Sequence, residues 1–291
     1  MTVQRYCAPE SVAEAVALLD PQAGAAAFAG GTDLLVQMRA AACSPATLVD
    51  LKRIPGLEGV EFAPQEVRIG AATRCCELTA SGELRALWPG LLEAAGLIGS
   101  TQVQGRASLG GNLCNASPAA DSVPALVANR ARVLIAGPGG ERSVAVEAFP
   151  LGPGRTVLEA GEFVRAIELP RPAPRTADAY LRFIPRTEMD IAVAGAGVSL
   201  TVDEHGVCTD ARIALGAVAP TVLLASEAAA ALIGSRCDDA ALDACADAAR
   251  AVARPITDRR GTAGFRRQVI GVLVRRAVLV ALQRAAVPPA R

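Results

Sequence analysis

Histidine is nearly missing from this chain. The one present, His205, sits in Asp203-Glu204-His205-Gly206, which reads as a polar hairpin turn. A turn residue is poorly placed to act as a general base, so nucleophile–histidine triads and histidine-rich metal sites drop out. Aromatic residues are scarce too, at 3% against 52% apolar, so alanine, valine and leucine must fill the interior. Net charge is absent: 29 basic residues balance 29 acidic ones. That balance argues against nucleic acid or an anionic membrane as the main partner. No uninterrupted apolar run is long enough to span a bilayer, and Met1-Thr2-Val3-Gln4-Arg5 does not open a secretory signal. A cytoplasmic protein is expected.

The eight cysteines form no C-x-x-C, and adjacent Cys75 and Cys76 are poor joint ligands for one metal. Reduced thiols are expected rather than a disulfide framework, with no metal site in this chain. Neither G-x-G-x-x-G nor G-x-x-x-x-G-K-[ST] occurs.

What is present is a pair of glycine-rich segments. Thr101 to Asp121 packs paired glycines, hydroxyls, amides and a carboxylate into what reads as one long polar loop. Such a loop cannot build a core, and its length is uncommon without a ligand. Ala29-Gly30-Gly31-Thr32-Asp33-Leu34-Leu35 has the same character, although an ordinary strand-to-helix turn is the other reading there. Paired glycines let backbone N–H groups approach phosphate oxygens. Two such loops suggest a long, bent ligand with a phosphate-rich middle.

Local patterns predict a helix opened by Pro9 and Glu10, a strand over 25–28, and a helix over 34–39 capped by Thr32 or Asp33. Strands are expected at 47–51, 67–71, 133–136 and 163–169, with a helical stretch from 83 to 98 split at Pro89-Gly90. Pro170 to Arg175 reads as a stiff linker. Beyond it, strands over 179–184, 191–202 and 212–217 suggest an antiparallel meander, followed by helices over 225–233, 240–252 and 264–285. Arginines 266, 267, 275, 276 and 284 of the last helix read as a solvated basic face.

The 29–35 segment, together with Ser108-Leu109-Gly110-Gly111-Asn112-Leu113 and Asn115 to Asp121, resembles the two FAD-binding signatures of the medium subunits of molybdenum hydroxylases. That family includes xanthine, carbon monoxide and nicotinate dehydrogenases. Arg186 to Ala192, and Asp258-Arg259-Arg260-Gly261 leading into Phe265-Arg266-Arg267, resemble its C-terminal segments. The resemblance implies an α+β fold. A two-subdomain FAD domain of the vanillyl-alcohol-oxidase (PCMH) type would cover 1–172, divided at about 55. A domain of three-stranded antiparallel sheet and helical bundle would cover 176–287.

By the same resemblance, Gly30, Gly31 and Thr32 would meet the FAD pyrophosphate with backbone N–H groups, Ala29 and Asp33 beside them would also bind the cofactor, and Leu34 and Leu35 would line its pocket. Ser108, Gly111 and Asn112 would contact phosphates and ribitol, Gly110 and Asn115 would bind the cofactor with them, and Ser117 and Asp121 would hydrogen-bond the ribityl or adenosine portion. Arg182 would lie near the flavin ring, a strand-surface arginine being the other reading. Cys114 would be a packing residue. The cysteine-rich insertion of the 4-hydroxybenzoyl-CoA reductase branch is absent. The implied role is an electron-transfer subunit without catalytic residues of its own. Its partners would be a large molybdenum-cofactor subunit and a small subunit carrying two [2Fe–2S] clusters, as a dimer of heterotrimers. A free-standing FAD oxidoreductase and a scaffold that has lost FAD are the alternatives.

Overall fold

A computed structural model describes residues 3–20, 24–186 and 189–286. Residues 1 and 2 of the domain expected over 1–172, Thr187 and Glu188 of the C-terminal motif, and residue 287 of the domain expected over 176–287 lie outside the described residues.

The first unit is a parallel three-stranded sheet. Strand β1 (Arg5–Cys7) leads to helix α1 (Val12–Leu18), capped by the Ser11 hydroxyl rather than opened at Pro9. Strand β2 (Ala25–Phe28) runs into the first glycine loop, and α2 (Leu34–Arg39) follows it. Strand β3 (Thr47–Asp50) then enters between the other two and ends in a 3₁₀ turn over Leu51–Arg53. Parallel pairing requires each connection to cross back over the sheet, and the glycine loop is part of one such crossing. Asp33 occupies the cap position of α2, but its side chain makes no capping bond.

The second unit begins with β4 (Val60–Phe62) and β5 (Glu66–Gly70). A helical stretch follows: α3 (Cys75–Ala80), α4 (Gly82–Leu87), α5 (Pro89–Ala95), α6 (Thr101–Gln104), α7 (Leu109–Cys114) and α8 (Ser122–Ala128). Next come β6 (Arg132–Gly137), β7 (Gly140–Ala145), the small pair β8 (Pro150–Gly152) and β9 (Arg155–Thr156), and β10 (Phe163–Pro170). Strand β10 fills the centre of a five-stranded antiparallel sheet in the order β4-β5-β10-β6-β7.

The stretch read as one polar loop is therefore partly helical. The Ser108 hydroxyl accepts the Gly111 N–H at 3.1 Å and starts α7. Leu109 and Leu113, four residues apart, are both fully buried beneath it. Burying each contributes roughly 1.5–3 kcal/mol, enough to hold a glycine-rich turn of helix that propensity alone would not.

The third unit is a meander of β11 (Thr176–Phe183), β12 (Ala194–Val202) and β13 (Cys208–Gly216), extended by a short fourth strand, β14 (Leu223–Leu224). Helices α9 (Ser226–Ala230), α10 (Asp239–Val252) and α11 (Ala263–Ala286) complete it. Helix α11 lies on β11 and β12, and α5 and α8 of the second unit also pack against this sheet. Arg267 and Arg276 of α11 are exposed, as the solvated face read from sequence expects, but Arg266, Arg275 and Arg284 depart from it. Arg266 is buried, its Nη1 donating to the Val193 carbonyl at 2.8 Å and its Nη2 bonded to Asp258 at 2.7 Å. Arg275 pairs with Asp239 and Asp243, and Arg284 reaches Glu93 and the Asp178 carbonyl.

Candidate functional site

A cleft of about 330 Å³ opens where the parallel sheet meets the helical face of the second unit. Residues Ala29 to Leu34 form one wall, and Ser108, Gly110, Gly111, Asn112 and Asn115 form the facing one. The two loops touch: Gln37 of α2 donates to the Asn115 side-chain oxygen at 2.8 Å. A Cβ at Gly30 would lie 2.0 Å from the Arg106 carbonyl oxygen, so only glycine allows this approach. Gly31 takes the left-handed backbone (φ +74°) that turns the chain from strand into helix.

The backbone N–H groups of Gly30, Gly31, Thr32 and Asp33 have no acceptor among the described residues. Four neighbouring donors left without acceptors in a half-enclosed loop are costly unless a ligand or water meets them. The remaining walls are apolar, from residues such as Ala71, Ile98, Leu158 and Val164. Donors on one side and flat apolar surface on the other suit a diphosphate flanked by ring systems.

Sequence reasoning missed several residues here. Glu162 lines the cleft, its carboxylate gripped by Arg142 through two 2.7 Å bonds and by the Glu159 N–H. The Arg142 hydrogen bonds outweigh partial burial and hold its pKa below the usual carboxylate range. It immediately precedes β10, next to Phe163 and Val164, a position that no local motif marks. Lys52 was missed as well; its Nζ donates to the Ala29 carbonyl at 3.0 Å behind the first loop. Cys114 also borders the cleft; desolvation pushes its thiol up to about 12, which leaves it inert at neutral pH.

Leu35, Ser117, Asp121 and Arg182 are not among the residues lining the cleft. Leu35 is exposed on α2, and Ser117 borders a separate, much smaller cavity with Pro118 and Pro220. Asp121 is buried and accepts the Tyr180 hydroxyl at 2.8 Å and Arg182 Nη1 at 2.5 Å. Desolvation pushes the Asp121 carboxyl above its ordinary range despite both donors. This trio ties the end of the second glycine segment to β11.

Asp178, also on β11, is buried and accepts the Gly90 and Leu91 N–H groups at 2.8 and 2.9 Å and the Asn129 amide at 2.8 Å. Burial raises its pKa to about 6 against those bonds. Among the described residues no group of metal-ligating side chains could hold an ion, and no helix is long and apolar enough to cross a membrane.

A glycine loop with free donors, facing a second glycine segment over an apolar-walled cleft, defines a protein that binds a dinucleotide cofactor. The family described as the FAD binding domain in molybdopterin dehydrogenase matches residues 2–172, and the CO dehydrogenase flavoprotein C-terminal domain matches 179–281. The carbon monoxide dehydrogenase medium chain of Hydrogenophaga pseudoflava is 38% identical over 97% of this chain and 98% of its own. The xanthine dehydrogenase FAD-binding subunit of Escherichia coli O157:H7 is 28% identical over 96% of each. The structure of reconstituted CO dehydrogenase from Oligotropha carboxidovorans superposes with a TM-score of 0.92 at 37% identity, over 96% of this chain and 98% of that one. The chain belongs to the FAD-binding medium subunits of the molybdenum hydroxylases, and is an oxidoreductase subunit whose cofactor is FAD.

Proposed function

We propose that this chain is the electron-transfer subunit of a heteromeric molybdenum hydroxylase. Substrate is hydroxylated at a molybdenum cofactor on a large partner, and electrons arrive through two [2Fe–2S] clusters on a small partner. They leave this chain for NAD⁺, oxygen or another acceptor. FAD, when bound, supplies the interchange between one-electron and two-electron traffic. We further place the assembly in the cytoplasm, as a dimer of heterotrimers; the eight free cysteines support a reducing compartment.

The observation that carries the reading is the row of N–H groups from Gly30 to Asp33, without acceptors among the described residues, on the cleft wall opposite the Ser108–Asn112 segment. In this reading those donors meet the diphosphate, while Ser108, Gly110, Gly111, Asn112 and Asn115 hold the other side. The Arg182–Asp121 pair stands behind the end of the second loop. The guanidinium is paired with the carboxylate, so it positions the end of the second glycine segment rather than offering free positive charge to the flavin. Ser117 steadies the turn that delivers Asp121, its hydroxyl accepting the Ala119 N–H. The ionisable cleft side chains are Asp33, Glu162 and the inert Cys114 thiol, and Glu162 is fully engaged by Arg142. This leaves little acid–base machinery for an organic substrate and favours electron transfer over a free-standing oxidoreductase.

The test is the visible spectrum of the chain purified with and without co-expressed large and small subunits, with any flavin identified after acid release. One FAD per chain, reduced when the complex receives substrate, is the expected result. A chain that stays colourless even with both partners would leave only a scaffold.

A further inference from the structure

The cleft has an electrostatic imbalance. Among the described residues no lysine or arginine lines it, while the carboxyl groups of Asp33 and Glu162 do. A diphosphate is an anion, and backbone dipoles alone would have to meet it unless a cation acts from outside the lining.

Lys52 is positioned to do so. It lies in the 3₁₀ turn after β3, with Nζ 3.0 Å from the Ala29 carbonyl oxygen, 2.6 Å from Asp50 Oδ1 and 4.7 Å from the centroid of the Phe28 ring. An anion, a carbonyl and an aromatic face thus fix an ammonium group that would otherwise sample many rotamers. Asp50 does not simply cancel its charge. That carboxylate also accepts the Lys52 N–H at 3.1 Å and the Tyr6 hydroxyl, so it is itself held in place while a second ammonium N–H stays directed at the Ala29 oxygen.

The geometry of one peptide completes the argument. The described chain has no cis peptide bonds, so the Ala29–Gly30 unit is trans and its C=O and N–H point in opposite directions. The oxygen faces Lys52, and the Gly30 N–H has no acceptor among the described residues. Both residues line the cleft.

We propose that Lys52 is a positioning residue of the cofactor site. Its ammonium grips the Ala29 carbonyl, polarises the Ala29–Gly30 peptide and strengthens the Gly30 N–H as a donor to the FAD diphosphate. Hydrogen bonds in series reinforce one another in this way, and a charged first donor makes the effect larger. The inference rests on the reading that these loops hold the FAD diphosphate. Neighbouring Arg53 is exposed and makes no comparable contact with the loop.

The experiment uses the full-length chain freed of flavin, titrated with FAD and with ADP and adenosine as competitors. If the unaltered chain binds no FAD, neither alone nor with its co-expressed large and small subunits, the cofactor reading falls and Lys52 falls with it; where partners are needed for binding, the titrations are made on the flavin-free complex. Where it binds, Lys52→Met should weaken FAD and ADP by about tenfold and adenosine by less than about twofold. Lys52→Gln retains a donor for the Ala29 carbonyl but not the charge, and should fall with Lys52→Met. Lys52→Arg should recover most of the affinity. Lys52→Gln matching the unaltered chain, or adenosine weakened as much as ADP, would overturn the proposal, the latter being the mark of a loop that has merely collapsed. Should Lys52→Met fail to fold, the Gln and Arg variants decide the question alone.

Discussion

Gly30 concentrates the site's geometry in one missing side chain. Gly30→Ala would drive a Cβ into the Arg106 carbonyl at 2.0 Å and prise the two loops apart. FAD affinity should fall by about tenfold or more, read by quenching of flavin fluorescence. Gly111 offers the contrast, because its added Cβ would meet only the Ser108 hydroxyl, at 3.2 Å. Gly111→Val should therefore lose FAD while costing no more stability than loss of the Ser108 cap, about 1 kcal/mol, and a larger drop would contradict this account. The glycines were legible because a run of small residues cannot serve packing. Lys52 was not, since nothing local separates it from Arg53; only the fold brings one of them to Ala29. Asp121 and Arg182 were legible as important and illegible as partners, because ion pairing across 61 positions leaves no local trace.

Long helices, and a short apolar run bounded by glycines, were the readable elements. Strand β2 follows the sequence reading to the residue, and α10 and α11 do so within one residue at each end. Short strands such as β4, β8 and β14 escaped because two or three residues carry no period. Helix α7 escaped for the opposite reason: two glycines and an asparagine hid the Leu109–Leu113 pair that anchors it. Its existence hangs on the Ser108 cap. Ser108→Ala should cost about 1 kcal/mol in urea unfolding, close to a typical N-cap loss, and loosen the second wall of the cleft. No measurable change in the urea midpoint would mean that Leu109 and Leu113 hold the helix unaided.

At the scale of the whole molecule, the sheet of the third unit is joined to the second through Asp178, Asp121 and Arg284. Asp178 makes that junction sensitive to pH. Its folded pKa of about 6 lies above the ordinary 3.8, so the native state binds its proton more readily than the unfolded chain does. Its contribution is fully present below pH 4 and is lost as pH rises through 6, by roughly 3 kcal/mol. Arg284, Glu93 and Asn129 face the same region and modulate the window without reversing it. Asp178→Asn should flatten the slope of unfolding free energy between pH 4 and 6, and an unchanged slope would place the titrating group elsewhere. The domain junction also bears on how the protein is made. The second glycine segment is anchored by Tyr180 and Arg182 and by the Ala217 N–H, which donates to the Pro118 carbonyl at 2.8 Å. A ribosome delivers Gly30 and Gly111 long before it delivers those anchors. Flavin loading is thus expected to follow synthesis, and nascent chains stalled before residue 180 should capture no FAD where chains released at full length do.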